Sequence, residues 1–184
     1  KLFLKVSATK TKVVRPTEGQ FLGFTFYKNI GEWKCVPTKD RKKRLYTKIK
    51  KFMKRKHAVS RALSITFTKV NQIVRGWINY FKIGSIKMFL DKFGQWLRHK
   101  IRCIIIIQWK KPMTIYRNLM KLNKACKCGF NEEDIYKCAN TRLGWYRRSG
   151  MDVVNYTISP KVLGIKKGER PGLVHPLNYY LKSL

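Results

Sequence analysis

Residues Val70–Phe81 read VNQIVRGWINYF, and they carry the clearest periodic pattern in the chain. Its apolar residues recur at i, i+3, i+4, i+7, i+8 and i+11, which is the spacing of one face of an α-helix. That face consists of Val70, Ile73, Val74, Trp77, Ile78 and Phe81. The pattern therefore predicts an amphipathic helix with Trp77 on its buried side and Arg75 on its polar side.

A helix of the same kind is predicted on each side of this one. On the N-terminal side, Thr38 is an N-cap residue type, and a helix follows with Leu45 and Ile49 on its apolar face. On the C-terminal side, Gly84 and Ser85 interrupt the chain before a longer helix, expected to end near Trp109. The three helices are expected to pack as a small bundle around one apolar centre.

The N-terminal residues 1–37 predict β-structure. Leu2–Val6 alternate as in a half-buried strand, and Gln20–Tyr27 with Trp33–Val36 form a predicted hairpin. Gly23 falls inside a predicted strand, where glycine usually marks a bulge or a close approach of another backbone.

Residues 111–184 predict a smaller helical region rich in loops. A short helix is expected over Thr114–Asn123, and another from the N-cap Asn131 to about Tyr146, with Glu132–Asp134 stabilising its first turn. The fold class predicted for the whole chain is mainly α with a small N-terminal β portion.

Charge indicates the kind of partner. The chain has 184 residues, with 42 Lys or Arg against 9 Asp or Glu, which gives a formal net charge of +33. Eleven of the eighteen residues in Lys39–Lys56 are basic. Such a one-signed field favours a polyanion, and nucleic acid is the usual one. Hydrophobic residues make up 44% of the chain, enough for a folded core rather than a disordered basic tail.

The sequence offers little for catalysis. Between Asp40 and Glu132 the only carboxylate is Asp91, whereas two-metal phosphoryl transfer needs at least two that converge. Cys126, Cys128 and Cys138 supply three metal ligands at best, so buried thiols are expected in place of a metal site. The longest stretch without a charged residue has eleven residues, so no membrane span is expected. Alone, the chain is expected to bind rather than catalyse.

The order of these elements resembles a known family. Thr9-Lys10-Thr11 and then Phe21–Phe24 are similar to the end of a reverse-transcriptase palm, and Val70–Phe81 resembles the signature of the group II intron maturase domain. As in that family, the signature is followed by Asp91, Trp96, Arg98, Ile101-Arg102 and Trp109-Lys110-Lys111. The chain thus resembles the C-terminal part of a group II intron-encoded reverse transcriptase and maturase.

The resemblance implies three regions. Residues 1–37 would be the end of the palm with its primer-grip hairpin, 38–110 the thumb or X maturase domain, and 111–184 a DNA-binding region. Such proteins bind their own intron RNA, promote its folding and splicing, and copy it into DNA during intron mobility. The fingers and the Tyr-x-Asp-Asp motif are absent from this sequence, so this fragment of an RNA-directed DNA polymerase is not expected to polymerise alone.

The resemblance also implies roles for individual residues. Lys10 would match a lysine near the departing pyrophosphate, and the primer grip would be formed by Phe21, Leu22, Gly23 and Phe24. Contacts to RNA are expected from Lys39, Arg41, Lys42, Lys43, Arg44, Lys48, Lys51, Arg55, Arg75, Lys82, Arg98, Lys100 and Arg102. Contacts to DNA are expected from Lys110, Lys111, Arg142, Arg147 and Arg148.

The implied partners are group II intron RNA, target DNA and the missing fingers and palm portion. Mg²⁺ is expected only with the full polymerase and the RNA, and the location is a bacterial cytosol, with an organelle as the alternative. Two other functions stay open: a general nucleic-acid-binding module, and the thumb of a reverse transcriptase that has lost splicing activity. Comparable affinity for unrelated duplex DNA and structured RNA would favour the first of these.

Overall fold

The computed structural model describes residues 13–168 and 170–184, and it is mainly helical with one small antiparallel sheet. The predicted Leu2–Val6 strand and Lys10 lie outside the described residues. The strands are β1 (Gln20–Phe21), β2 (Phe24–Asn29) and β3 (Glu32–Pro37). The helices are α1 (Lys39–Phe52), α2 (Arg55–Ala58), α3 (Leu63–Phe81), α4 (Lys87–Trp109), α5 (Pro112–Cys126), α6 (Glu132–Asn140), α7 (Trp145–Arg148), α8 (Asp152–Thr157), α9 (Pro160–Gly164) and α10 (Pro176–Lys182).

The sheet has the strand order β1-β2-β3, and two-residue turns join its strands. Leu22 and Gly23 form the first turn with φ of 50° and 86°, and Ile30 and Gly31 form the second with φ of 46° and 81°. Positive φ at both positions is the geometry that matches the twist of paired strands. The prediction that Gly23 lies within a strand is therefore wrong, because it completes a turn.

The three predicted helices of the bundle are confirmed as α1, α3 and α4. The Thr38 side chain caps α1 by accepting a hydrogen bond of 3.3 Å from the backbone N–H of Arg41. Leu45 and Ile49 of α1 are buried, as are Val70, Val74 and Ile78 of α3. The α3 helix begins at Leu63, two turns before the Val70 with which the apolar pattern starts. Its buried face also includes Phe67, whereas Trp77 is only half-buried.

The longest helix, α4, is buried on more than one side. Its apolar side, with Leu90, Phe93, Leu97 and Ile101, is fully buried, and Ile105 and Ile106 are buried as well. Beyond the bundle, the short C-terminal helices α7 and α10 both pack against α4. The C-terminal region therefore packs directly on the helical bundle.

The segment before α10 is held by a polar residue of α3. The buried Asn71 side chain donates a hydrogen bond of 2.8 Å to the carbonyl oxygen of Gly172 and accepts one of 2.8 Å from the N–H of Val174. Further along, the Tyr180 hydroxyl donates to the carbonyl oxygen of Gly84 over 3.3 Å. Residues on both sides of the predicted boundary at 110/111 thus share one core.

The helix expected from Asn131 to about Tyr146 is shorter in the structure. It ends at Asn140, and a separate turn of helix, α7, follows. Asn131 has the extended backbone of an N-cap, but its side chain makes no capping hydrogen bond. Glu133 instead pairs with Lys137 at 2.7 Å. Within the described residues, no helix has both the length and the apolar character needed to cross a membrane.

Candidate nucleic-acid interface

The cations of α1 are divided between two sides of the helix. Lys39, Lys42, Lys43 and Lys50 face α4, whereas Arg41, Arg44 and Lys48 face α3. The first set follows i, i+3, i+4 and i+11, and the second i, i+3 and i+7, so each lies along one stripe. Among the described acids, only Asp40 forms an ion pair with this helix, at 2.7 Å from Arg44. Most of this positive charge is therefore available to an outside anion.

The first side forms an open groove of about 650 Å³, here called the α1–α4 groove. Its lining consists of Lys39, Lys42, Lys43, Tyr46, Thr47, Lys50, Phe89, Lys92 and Trp96. Tyr46 packs edge-on against Trp96, with ring centroids 4.7 Å apart, and against Phe89 at 6.1 Å. The groove thus has a fixed aromatic floor with lysines at its edges, the combination that binds phosphates and stacks bases.

Lys42 lies between the lysines at the edge of this groove and its aromatic floor. Its ammonium lies 5.5 Å from the centroid of the Phe89 ring, and burial lowers the pKa of the amine. A cation over an aromatic face is held by the ring quadrupole. Lys42 is thus positioned beside the aromatic floor, in contrast to the exposed Lys43.

The second side is a smaller cleft of about 280 Å³ between α1 and α3, here called the α1–α3 cleft. Arg41, Arg44 and Lys48 form one wall, and Gln72, Gly76 and Trp77 belong to the other. Gly76 is exposed, and a side chain there would meet nothing within 4 Å. The surface of α3 at Gly76 is therefore open to a close approach by a ligand.

The remaining predicted RNA contacts differ in exposure. Lys51, Arg55, Arg75 and Lys82 are exposed, and Lys100 is half-buried. Arg98 is half-buried, with Nη1 lying 3.3 Å from Nε2 of His175, and burial lowers its pKa.

The prediction for Arg102 is wrong, because the protein itself uses the guanidinium. Arg102 is buried and donates to the carbonyl oxygens of Ile158 (2.9 Å) and Asn155 (3.1 Å), and to Asn155 Oδ1 (2.7 Å). Burial, and secondarily the charge of Arg98, lowers the pKa of Arg102 to about 10. Arg102 therefore joins α4 to α8 instead of facing RNA.

Among the predicted DNA contacts, Lys110, Lys111, Arg142 and Arg147 are exposed. The prediction that Arg148 contacts DNA is corrected for the same reason as the prediction for Arg102. It is buried, donates to the carbonyl oxygen of Thr141, and lies 4.9 Å from the centre of the Trp145 ring. Its side chain thus orders α7 and is not presented to DNA.

The predicted primer-grip residues form a turn with two exposed side chains and one buried. Phe21 and Leu22 are exposed, whereas Phe24 is buried against Phe81 at a centroid distance of 5.1 Å. Phe24 is therefore not placed to contact a primer, which corrects that part of the prediction. The carbonyl oxygen of Gly23 accepts a hydrogen bond of 2.9 Å from Thr38, so the turn is fixed to the start of α1.

Sequence reasoning missed most of the aromatic floor of the α1–α4 groove. Trp96 was part of the family resemblance, but Tyr46 and Phe89 were not singled out. The signal was present, since Tyr46 follows Lys39, Lys42 and Lys43 at helical spacing. Its partner Phe89 lies on another helix, and pairing across helices is not readable from periodicity. Within the described residues, no three His, Cys, Asp or Glu form a group that could hold a metal.

Comparison with known proteins agrees with this geometry. Residues 42–123 match the family described as "Group II intron, maturase-specific domain". The matched segment begins in α1, includes all of α3 and α4, and ends in α5. No curated protein matches the chain. Residues 42–123 are therefore similar to group II intron maturase-specific domains, as the resemblance of Val70–Phe81 predicted.

Proposed function

We propose that this protein binds group II intron RNA through the α1–α4 groove and promotes folding and splicing of the intron. The observation that carries the proposal is the groove itself: five lysines border an aromatic floor, and none of the described residues that line it is acidic. The groove lies largely within the segment that matches the maturase-specific domain.

The physical role follows from the charge of RNA. A large RNA folds against the repulsion between its phosphates, and a fixed array of cations lowers that cost by replacing diffuse counterions. RNA helices are recognised by shape and phosphate contacts more than by base edges. Specificity would come from matching the positions of the lysines to the architecture of the intron, while the RNA and its Mg²⁺ perform the chemistry.

We further propose that 38–110 act as the thumb of an intron reverse transcriptase used in intron mobility, with residues 1–37 as the end of its palm. The exposed Phe21 and Leu22 side chains support a contact with a primer, because their turn is fixed to α1. Target DNA would be contacted by the exposed cations after α4, within 111–184. The fingers and palm portion would be supplied by the rest of the enzyme, in a bacterial cytosol.

The test compares two triple variants that remove equal charge. The first, Lys42→Gln with Lys43→Gln and Lys50→Gln, neutralises the groove, and the second, Lys161→Gln with Lys166→Gln and Lys167→Gln, neutralises exposed lysines outside it. Each protein is titrated with a group II intron RNA and with an unrelated structured RNA of equal length, between about 50 and 200 mM salt.

The wild type should prefer the intron RNA, and its affinity should fall on the order of a thousandfold over this salt range if six to ten phosphates are bound. The groove variant should bind more weakly, with a salt slope reduced by about two to three. Equal affinity for both RNAs would instead support a general nucleic-acid-binding module. Equal loss in the two triple variants would show that the groove has no special role.

A further inference from the structure

A third concave site, a cavity of about 550 Å³ here called the α7 cavity, lies where the end of α1, the middle of α4 and the short helix α7 meet. Lys50 and Trp96 line both this cavity and the α1–α4 groove, so the two are adjacent. Volumes of this size are typical of pockets that enclose a small organic group.

Aromatic side chains that the protein holds in place form part of its wall. The Tyr146 ring lies 4.1 Å from the His99 ring, and the Lys100 ammonium lies 4.9 Å from the Tyr146 centroid. Next to it, Trp145 is held by the buried Arg148 guanidinium. The Ser149 hydroxyl donates a hydrogen bond of 2.8 Å to the Tyr146 carbonyl oxygen, which further orders this turn. The aromatic wall is therefore preorganised before any ligand arrives.

The charge of the cavity has one sign. Lys50, Lys54, Arg55 and Lys100 contribute to the lining, and none of the described residues that line the cavity is acidic. The interior is apolar, with Met53, Ile104 and Ile107 exposing mainly carbon. A fitting ligand is therefore flat and aromatic, and it carries an anionic group near the cations. An unstacked nucleotide combines these properties, since its base has two π-faces and its phosphates are negative.

We propose that the α7 cavity accepts an unpaired base of the bound RNA, stacked against Trp145 and Tyr146, while the surrounding lysines contact its flanking phosphates. This inference rests on the proposed function, and it adds a site for one single-stranded nucleotide to the backbone contacts of the α1–α4 groove. The cavity adjoins the groove at Lys50 and Trp96, so one RNA strand can lie in the groove and insert a base into the cavity.

Two variants test the site without disturbing the core. Tyr146→Leu removes an aromatic ring that is 55% exposed, and its matched control is Tyr156→Leu, which removes one that is 62% exposed and lies outside the cavity. Gly144→Phe adds a bulky side chain at a residue that lines the cavity, and it is tolerated because Gly144 has an ordinary φ of −54° and a Cβ there would meet nothing within 4 Å. Thermal melting confirms that each variant is folded.

The probes are an adenosine hexamer and a hexamer with the same phosphates but no bases, both followed by fluorescence anisotropy. The wild type should bind the adenosine hexamer about five- to a hundredfold more tightly, because one stacked base contributes this much. Tyr146→Leu and Gly144→Phe should remove most of that difference, whereas Tyr156→Leu should retain it. Equal binding of the two hexamers by the wild type, or an undiminished difference in both cavity variants, would overturn the proposal.

The two proposals fail in distinguishable ways. If only the base site is absent, the preference for intron RNA over unrelated structured RNA persists while the two hexamers bind equally. If the maturase function is absent, that preference disappears, whether or not the hexamers differ.

Discussion

The Tyr80 hydroxyl donates a hydrogen bond of 2.9 Å to the carbonyl oxygen of Leu22, which joins the last turn of α3 to the first turn of the sheet. The two residues are 58 positions apart in the chain. Because Gly23 accepts a hydrogen bond from Thr38, the same turn is also attached to the start of α1. The exposed tip of the sheet is thereby fixed to two helices of the bundle.

Tyr80→Phe should loosen this tip with only a small cost in stability. The hydrogen bond is exposed, so we expect a loss of about 0.5–1 kcal/mol in the free energy of unfolding. Amide hydrogen exchange in β1 and β2 should become faster, as measured by mass spectrometry or NMR. The control is Tyr27→Phe, because the Tyr27 hydroxyl makes no hydrogen bond to any described residue. Unchanged exchange in Tyr80→Phe would contradict the anchoring role.

Asn71→Ala should destabilise the protein more strongly. Its buried amide satisfies two backbone groups, the Gly172 carbonyl and the Val174 N–H, and losing such a partner costs about 1–3 kcal/mol for each buried group left unpaired. Asn79→Ala on the same helix removes only an exposed contact with Tyr179 and should cost less than about 1 kcal/mol. Urea unfolding measures both, and equal effects would show that Asn71 does not hold the C-terminal segment.

Asn71 also shows what the sequence could and could not predict. The 3.6-residue period located α3 and most of its buried face, because periodicity depends only on neighbouring residues. It could not show that a polar residue of that helix is buried, because the groups that satisfy Asn71 are 101 and 103 residues away. The sequence therefore gave no sign that the C-terminal segment covers this face.

The candidate interface, like the fold, could be predicted from the sequence only in part. Charge and spacing on α1 predicted a helix with a basic surface, and its cations other than the half-buried Lys42 are exposed. Arg102 on α4 is buried instead, because it has acceptors in and next to α8. From sequence alone, a basic residue with no acid nearby is expected at the surface. In the folded protein, however, backbone carbonyl oxygens can also bind a buried guanidinium. Such oxygens occur at every residue, and sequence alone does not show which ones remain free after folding.

Arg102→Met should therefore act on folding. Removing the guanidinium leaves the Ile158 and Asn155 carbonyl oxygens without their donor, and we expect a loss of about 2–3 kcal/mol. Arg102→Lys should not restore stability, because an ammonium lacks the planar fork that reaches three acceptors. The matched control Arg147→Met changes an exposed arginine and should alter stability by about 0.5 kcal/mol or less. Denaturant unfolding of the three variants measures these differences.

Stability should fall on mild acidification. Burial, and to a smaller extent Arg102 and Lys100, lowers the pKa of His99 despite the opposing effect of a hydrogen bond from the imidazole to the Tyr146 backbone. Burial and then Arg98 lower the pKa of His175, despite the opposing charge of Asp91. The unfolded chain therefore takes up protons first, and stability present above about pH 6.5 declines as the pH falls through the folded-state pKa values.

Urea unfolding between about pH 7.5 and 5.5 measures this decline, in a range above the ordinary titration of carboxylates. A variant with His99→Gln and His175→Gln should show a flatter profile over the same range. Stability that rises on acidification, or an equally steep profile in the double variant, would contradict the assignment to these histidines.

Substitutions of Trp77 and Arg75 distinguish a packing role from an RNA-contact role within α3. The Trp77 ring packs at 4.6 Å from Phe81 and 5.1 Å from Phe89, and its buried Nε1 makes no hydrogen bond to any described residue. Trp77→Ala should therefore cost about 3 kcal/mol, at the low end for a large aromatic because the side chain is only half-buried. Trp77→Phe should cost much less, since it retains a ring and removes the unpaired N–H.

Arg75→Ala should have the opposite profile. Its side chain is exposed, with the guanidinium 5.6 Å from the centroid of the Tyr179 ring, so the loss of stability should stay below about 1 kcal/mol. If Arg75 contacts one RNA phosphate, affinity should weaken for every RNA and the salt slope should decrease by about one. Thermal melting and RNA titration of the same preparations give both quantities. A Trp77→Ala protein that melts like the wild type but no longer binds RNA would make Trp77 a stacking contact, because loss of a packed ring cannot leave melting unchanged.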